Sequence, residues 1–274
     1  MEQTCYRHPD RETGVSCSSC GRPICTDCMV PTSVGMRCPE CAKQKTKVHT
    51  ARSLSASEPR ATYVIIALNV IAFLAQSLTA GGGLRARGGD IYAEGVLRGF
   101  EVNAGEWWRL VTSGFLHADP IHLLLNMVGV YFLGQILEPA LGTVRFVALY
   151  LTSLLVGSLG VMLLTPEAET LGASGAVFGL LGAAFLIMRQ RGVDPMRSFI
   201  GPLLILNIVL TFRPGISVGA HLGGLAGGLF CAWVIGELDR GRRSQALAAV
   251  ACGAVGVAAF VAAIIASGTP SLYN

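Results

Sequence analysis

Between residues 61 and 266 the chain passes through seven apolar stretches, 61–80, 120–138, 143–164, 172–189, 198–212, 217–236 and 245–266, joined by short polar segments. Crossing the hydrocarbon of a bilayer takes about 20 helical residues at ~1.5 Å each. Lipid offers the backbone no hydrogen-bond partner, so such stretches must satisfy their own amides, and their lengths select helices over barrel strands. With 52% hydrophobic and only 14% charged residues, the expected fold is an all-α polytopic membrane protein. The fifth stretch is short and bounded by Arg197 and Arg213, so it spans a thinned region or is partly unwound.

Residues 1–60 have a different character. Seven of the nine cysteines lie in the first 41 residues and, with His8, form four pairs at one spacing: Cys5/His8, Cys17/Cys20, Cys25/Cys28 and Cys38/Cys41. Two intervening residues let one tight knuckle present two ligands to a tetrahedral metal. Eight ligands make two structural zinc sites, paired either alternately (first with third, second with fourth) or between neighbours. A disulfide framework would leave one cysteine over, and the histidine takes that slot at ligand spacing. So small a segment needs metal to fold, and zinc thiolates imply a reducing compartment. The arrangement over residues 5–41 resembles B-box-type zinc fingers, which implies recruitment of a cytoplasmic protein partner. Residues 44–60 carry Lys45, Lys47, Arg52 and Arg60 against Glu58 and read as a basic tether, solvated or close to anionic headgroups.

The chain starts without a secretory leader pattern, so its first membrane segment serves as its own insertion signal. With the zinc module cytoplasmic, the inner joints hold Arg145, then Arg189, Arg191 and Arg197, then Arg240, Arg242 and Arg243, whereas 165–171 holds Glu167 and Glu169. This follows the positive-inside rule and puts the C-terminus outside. The first outer loop, 81–116, departs from it with Arg85, Arg87, Arg98 and Arg109, accompanied by four acids, and its Trp107-Trp108-Arg109 suits the headgroup layer. A formal charge of +4, spread beside membrane segments, gives no footing for nucleic-acid binding.

In this topology the second, fourth and sixth helices run the same way, and each carries polar groups in its first turns: His122 and Asn126, then Ser174, then His221. Polar groups are costly in hydrocarbon, so a matched depth points to one shared site. Ser174 lies in Gly172-Ala173-Ser174-Gly175, and Gly224 lies three residues beyond His221; small residues at such spacing let helices touch. A serine needs a base to act as nucleophile, and a neutral histidine is one. No acid completes a triad, which leaves a Ser174–His221 dyad. The Ser174 amide at a helix start, Asn126 and His122 would stabilise an oxyanion. No cofactor is expected for catalysis.

These residues resemble the rhomboid intramembrane serine proteases over about 61–236. The likeness rests on Glu106-Trp107-Trp108-Arg109, Phe115-Leu116-His117, His122-Leu123-Leu124-Leu125-Asn126, Gly172 to Gly179, and Ala220-His221-Leu222-Gly223-Gly224. The resemblance implies a rhomboid-like six-helix core plus one C-terminal helix. The chain would then divide into a double zinc finger (1–43), the tether (44–60), the protease core (61–236), and a seventh helix with a short tail (237–274). It also implies Phe178 packed on the catalytic histidine, transmembrane substrates admitted from the bilayer near helices two and five, and a mobile cap at 213–217. The expected activity is serine endopeptidase, in a plasma membrane of bacterial type. The alternatives are a non-proteolytic adaptor of the same fold and, more remotely, a transporter with a histidine proton relay.

Overall fold

The computed structural model describes residues 3–32, 35–43, 58–82, 86–241 and 244–268. Most of the basic tether, together with Arg85, Arg242 and Arg243, lies outside them. Contacts divide the chain into two units, Met1–Ser55 and Ala56–Asn274.

In the first unit β1 (Gln3–Thr4) pairs antiparallel with β2 (Glu12–Thr13), β3 (Val30–Thr32) pairs likewise with β4 (Gly35–Arg37), and α1 (Pro39–Lys43) follows. Its buried apolar cluster is six cysteines and Ile24, with Tyr6 and Met29 packed at the edge.

The second unit is helical. After α2 (Arg60–Thr79), the first loop holds three short helices, α3 (Asp90–Gly95), α4 (Gly99–Asn103) and α5 (Arg109–Thr112). Then come α6 (Pro120–Leu141), α7 (Thr143–Leu164), α8 (Ser174–Gln190), α9 (Ile200–Thr211), α10 (Val218–Arg240) and α11 (Gln245–Ser267). Helices α2, α6, α7, α10 and α11 are long and apolar enough to cross a membrane, and the chain is a multi-pass membrane protein. The other two apolar helices are shorter than expected. The 17 residues of α8 reach about 25 Å, because the chain arrives through Gly172 at φ +119° and helical geometry starts only at Ser174. The 12 residues of α9 reach about 18 Å.

Helices α7, α8 and α10 pack on one another, and α11 lies against α7 and α10. Tyr150, Phe146, Leu149, Leu180, Leu181 and Ile235 fill the core between them.

Polar joints hold the periphery in register. Buried Glu138 near the end of α6 accepts hydrogen bonds from the Ala61 and Thr62 amides at 3.0 and 2.8 Å, and from the Thr62 and Thr143 hydroxyls at 2.8 and 2.9 Å. It thereby caps the otherwise open first turn of α2. Buried Gln76 near the other end of α2 donates to the Ala86 and His117 carbonyls at 2.6 and 3.0 Å and accepts from the His117 amide at 3.2 Å.

Two of the first-loop arginines, Arg98 and Arg109, are neutralised in place. Arg109 is buried among the Glu101 and Glu106 carboxylates and the Ala93 and Val96 carbonyls, and Arg98 pairs with Glu101 and Glu169. Hydrogen bonds from Tyr92 and Arg98 hold the Glu169 carboxyl below the ordinary carboxylate range. Their charge is therefore spent on loop structure.

Candidate active site

Three helices begin at one end of the bundle, and each start is set by local sequence. Asp119 caps α6, its carboxylate accepting from the His122 amide at 2.9 Å, with Pro120 in the first turn. Ser217 caps α10 by accepting from the Ala220 amide at 3.2 Å. Helix α8 starts at Ser174 with no side-chain cap, which leaves its first N–H groups and the positive end of its dipole free of internal partners.

The polar side chains of these first turns converge on one cavity of ≈ 360 Å³, lined by Ser174, His221, His122, Asn126 and Phe178, with Arg87, Asp119 and Glu169 also on its walls. His221 Nε2 lies 2.9 Å from Ser174 Oγ. The Phe178 ring stacks on the His221 imidazole, centroids 4.1 Å apart and planes 21° from parallel. His122 Nδ1 accepts from the Ala118 amide at 3.4 Å, so in the neutral ring Nε2 carries the proton and is a donor. Asn126 donates one amide hydrogen to the His122 carbonyl at 2.9 Å, which fixes its head group and leaves the second hydrogen uncommitted. At Gly172 a Cβ would fall 2.7 and 2.8 Å from His122 Cε1 and Nε2, so glycine is needed there for space as well as for φ. Gly215, Ile216 and Ser217, within the segment expected to form a cap, also line the cavity.

Gly175 and Gly224 do not line the cavity; they make the helix contact that brings its walls together. A Cβ on Gly224 would collide with the Gly175 carbonyl, and one on Gly175 would lie 2.9 Å from the Ala220 carbonyl. Gly228 meets Gly179 in the same way one turn on. On the opposite side α10 meets glycines of α7 that sequence reading passed over: Gly160 abuts Gly219, and a Cβ on Gly157 would sit 2.9 Å from the Ala220 carbonyl. We expect Gly224→Val to destabilise the protein by about 3 kcal/mol or more, the upper end of overpacking, and to part Ser174 from His221. Gly253→Val on α11, with nothing within 4 Å of the added Cβ, should be close to neutral. Thermal unfolding of both variants in detergent checks the contrast.

Sequence reasoning also missed Thr211, the last residue of α9, whose Oγ1 lies 2.9 Å from His221 Nδ1.

The metal-ligand candidates fall into two clusters in the first unit: Cys5, His8, Cys25 and Cys28, and Cys17, Cys20, Cys38 and Cys41. Within each, the ligand atoms lie within 4.8 Å of one another, and each cluster could hold a metal ion. Of the two pairings the spacing left open, the geometry is the alternating one.

Fold and cavity together define a multi-pass helical membrane protein with a serine and a histidine paired inside its bundle. A Rhomboid domain model matches residues 104–238. Among curated proteins, the chain is 32% identical over 184 residues to the rhomboid protease GluP of Bacillus subtilis, covering 65% of this chain and 35% of that protein. It is 35% identical over 139 residues to the putative rhomboid protease YdcA of the same organism, covering 48% and 69%. It is 36% identical over 143 residues to RHOMBOID-like protein 5 of Arabidopsis thaliana, covering 49% and 46%. The chain belongs to the rhomboid family. It spans about a third of the length of the first of these relatives and under half of the third.

Proposed function

We propose that the chain is an intramembrane serine endopeptidase that cleaves transmembrane substrates, with Ser174 as nucleophile and His221 as general base. The observation that carries this reading is the 2.9 Å contact between His221 Nε2 and Ser174 Oγ at the wall of a polar cavity inside an apolar bundle. As Oγ bonds to the scissile carbonyl carbon, its proton passes to Nε2, and the carbonyl π pair moves onto oxygen. The His122 Nε2–H, the free Asn126 hydrogen and the uncapped α8 amides, that of Ser174 first, supply donors to that oxyanion. Collapse of the intermediate expels the amine, which takes the proton from Nε2 and leaves an acyl-enzyme for water to hydrolyse. Phe178, stacked on the imidazole, limits its rotation.

A non-proteolytic adaptor has no use for a hydroxyl and an imidazole held in hydrogen-bond contact, which favours the protease. A serine-directed fluorophosphonate should label the wild type at Ser174 and fail on Ser174→Ala and His221→Ala. A labelled His221→Ala protein, or a folded wild type that never reacts, would overturn the assignment.

For the first unit we propose two structural zinc ions. Tetrahedral zinc with Zn–S near 2.3 Å implies ligand-to-ligand edges of about 3.5 to 3.8 Å. Cys20 Sγ and Cys38 Sγ lie 3.8 Å apart, and His8 Nδ1 lies 3.8, 3.3 and 3.5 Å from the Cys5, Cys25 and Cys28 sulfurs. The thiol-rich donor set suits zinc over harder cations. We place this unit, residues 1–43, in the cytoplasm as a protein-interaction module joined by the 44–60 tether to a 61–236 protease core. The seventh helix and tail, 237–274, then end outside. The ion pairs of Arg98 and Arg109 lessen the objection that the first-loop arginines raise to this orientation.

A further inference from the structure

At the far side of the candidate base, His221 Nδ1 meets the Thr211 hydroxyl. Thr211 is fully buried, and its Oγ1 has two partners at 2.9 Å, the Asn207 carbonyl and His221 Nδ1. The Thr211 hydroxyl has one proton, and when it donates that proton to the Asn207 carbonyl its lone pair faces the imidazole. The imidazole must then place its own proton on Nδ1. In that tautomer Nε2 presents a lone pair to Ser174 Oγ at 2.9 Å, the form a general base requires. In the other tautomer Nε2 would donate to Ser174 and could not take its proton.

We propose that Thr211 is a positioning residue that holds His221 in the Nδ1-protonated tautomer, the task a carboxylate performs in serine hydrolases with a third member. The proposal rests on the Ser174–His221 reading and deepens it. When Ser174 gives its proton to Nε2, the resulting imidazolium keeps its Nδ1–H bond to Thr211 Oγ1, so the partner serves before and after the transfer. The arrangement is neutral, and so avoids placing an unpaired carboxylate beside the base in an apolar bundle. It also ties the base to α9, a helix whose buried residues are only Ile200 and Gly201 at one end and Thr211 at the other. Leu206 and Val209, in the turns before Thr211, are exposed.

Three variants of the full chain in detergent test this: Thr211→Val, which keeps the shape and removes the hydroxyl; Thr211→Ser, which keeps the hydroxyl; and His221→Gln, which assigns the His221 resonances. We expect Thr211→Val to lower kcat and the fluorophosphonate labelling rate about 5- to 30-fold, the equivalent of one lost buried hydrogen bond. KM should not change. We expect Thr211→Ser to stay within about 3-fold of wild type, since its hydroxyl can make the same bonds. A purely structural role would instead track side-chain volume, with Val mild and Ser harmful. Independently of activity, nitrogen-15 histidine spectra of the wild type should show neutral His221 protonated at Nδ1, shifting toward Nε2 in Thr211→Val. A wild-type ring protonated at Nε2, or a Thr211→Val protein with unchanged kcat, overturns the proposal. Should Thr211→Val not fold, the wild-type spectrum alone decides. A folded wild type that never labels at Ser174 would sink the protease reading, while the tautomer measurement would still judge Thr211.

Discussion

Replacing Ser174 by alanine should abolish cleavage of a membrane-embedded substrate, by roughly 10⁴- to 10⁶-fold, the range found when a nucleophile that works with a base is removed. The protein should stay folded. Ser174 is half-buried and its hydroxyl contacts His221, so alanine removes no packing volume and opens no buried charge. His221→Ala should cost about as much, because without a proton acceptor the hydroxyl is a poor nucleophile. The double variant should be no slower than either single one, since both remove the same step. Cleavage assayed in proteoliposomes, with products read by mass spectrometry, provides the test. A double variant as slow as the product of the two single losses, or substantial activity in Ser174→Ala, would show that the two side chains do not act as a unit.

Stripping metal from the protein should unfold the first unit in one step. Apart from six cysteines its buried cluster contains only Ile24, and burying one isoleucine contributes about 1.5–3 kcal/mol. That is small beside the apparent 10–16 kcal/mol typical of a structural zinc ion. The ion pairs Arg7–Glu40 and Arg11–Asp27 are exposed and contribute little. Because the ligand pairs alternate along the chain, the loop that closes one cluster runs through the other, so losing either ion releases both.

The ligand thiols do not ionise alike: burial and the neighbouring thiols raise Cys28 to about 11, and the neighbouring thiols, Cys38 first, with burial raise Cys41 to about 12, whereas Cys17 and Cys5 are lowered. Amide donors, the Cys38 N–H first, outweigh burial at Cys17 and bring its thiol down to about 6. At Cys5 burial pushes the thiol up, but the donors around it prevail and it too falls to about 6. Elemental analysis should find about two zinc ions per chain. After chelation, proteases should cut within residues 3–43 while Ser174 labelling reports the state of the membrane unit. A segment that stays protected with its metal gone would contradict this account.

Much of the architecture could be read from residues because hydrocarbon leaves the backbone so few options. Apolar run length located the helices, and the cost of polar groups in lipid singled out His122, Asn126, Ser174 and His221, whose side chains meet in one cavity. What escaped was contact detail that neither a motif nor the cost of a polar group in lipid signals. Thr211 looks like any threonine bonded to its own helix, which it also is. Gly157 and Gly160 acquire meaning only once α10 lies against them. The short helices of the first loop have no periodicity long enough to detect, and although acids were seen to accompany their arginines, the pairing of Arg98 and Arg109 with Glu101, Glu106 and the distant Glu169 was not legible. Equal Cys/His spacing could not choose between two ligand pairings, because both obey it.

The Glu138 cap has a consequence for biogenesis. The amides it satisfies belong to the opening turn of α2, yet the carboxylate arrives 76 residues later, near the close of α6. A chain emerging from a ribosome therefore threads α2 before the group that seals it has been synthesised, and headgroups or water must serve meanwhile. Assembly should be ordered accordingly: α2 docks for good only after α6 has inserted, so a helix made early waits on one made later.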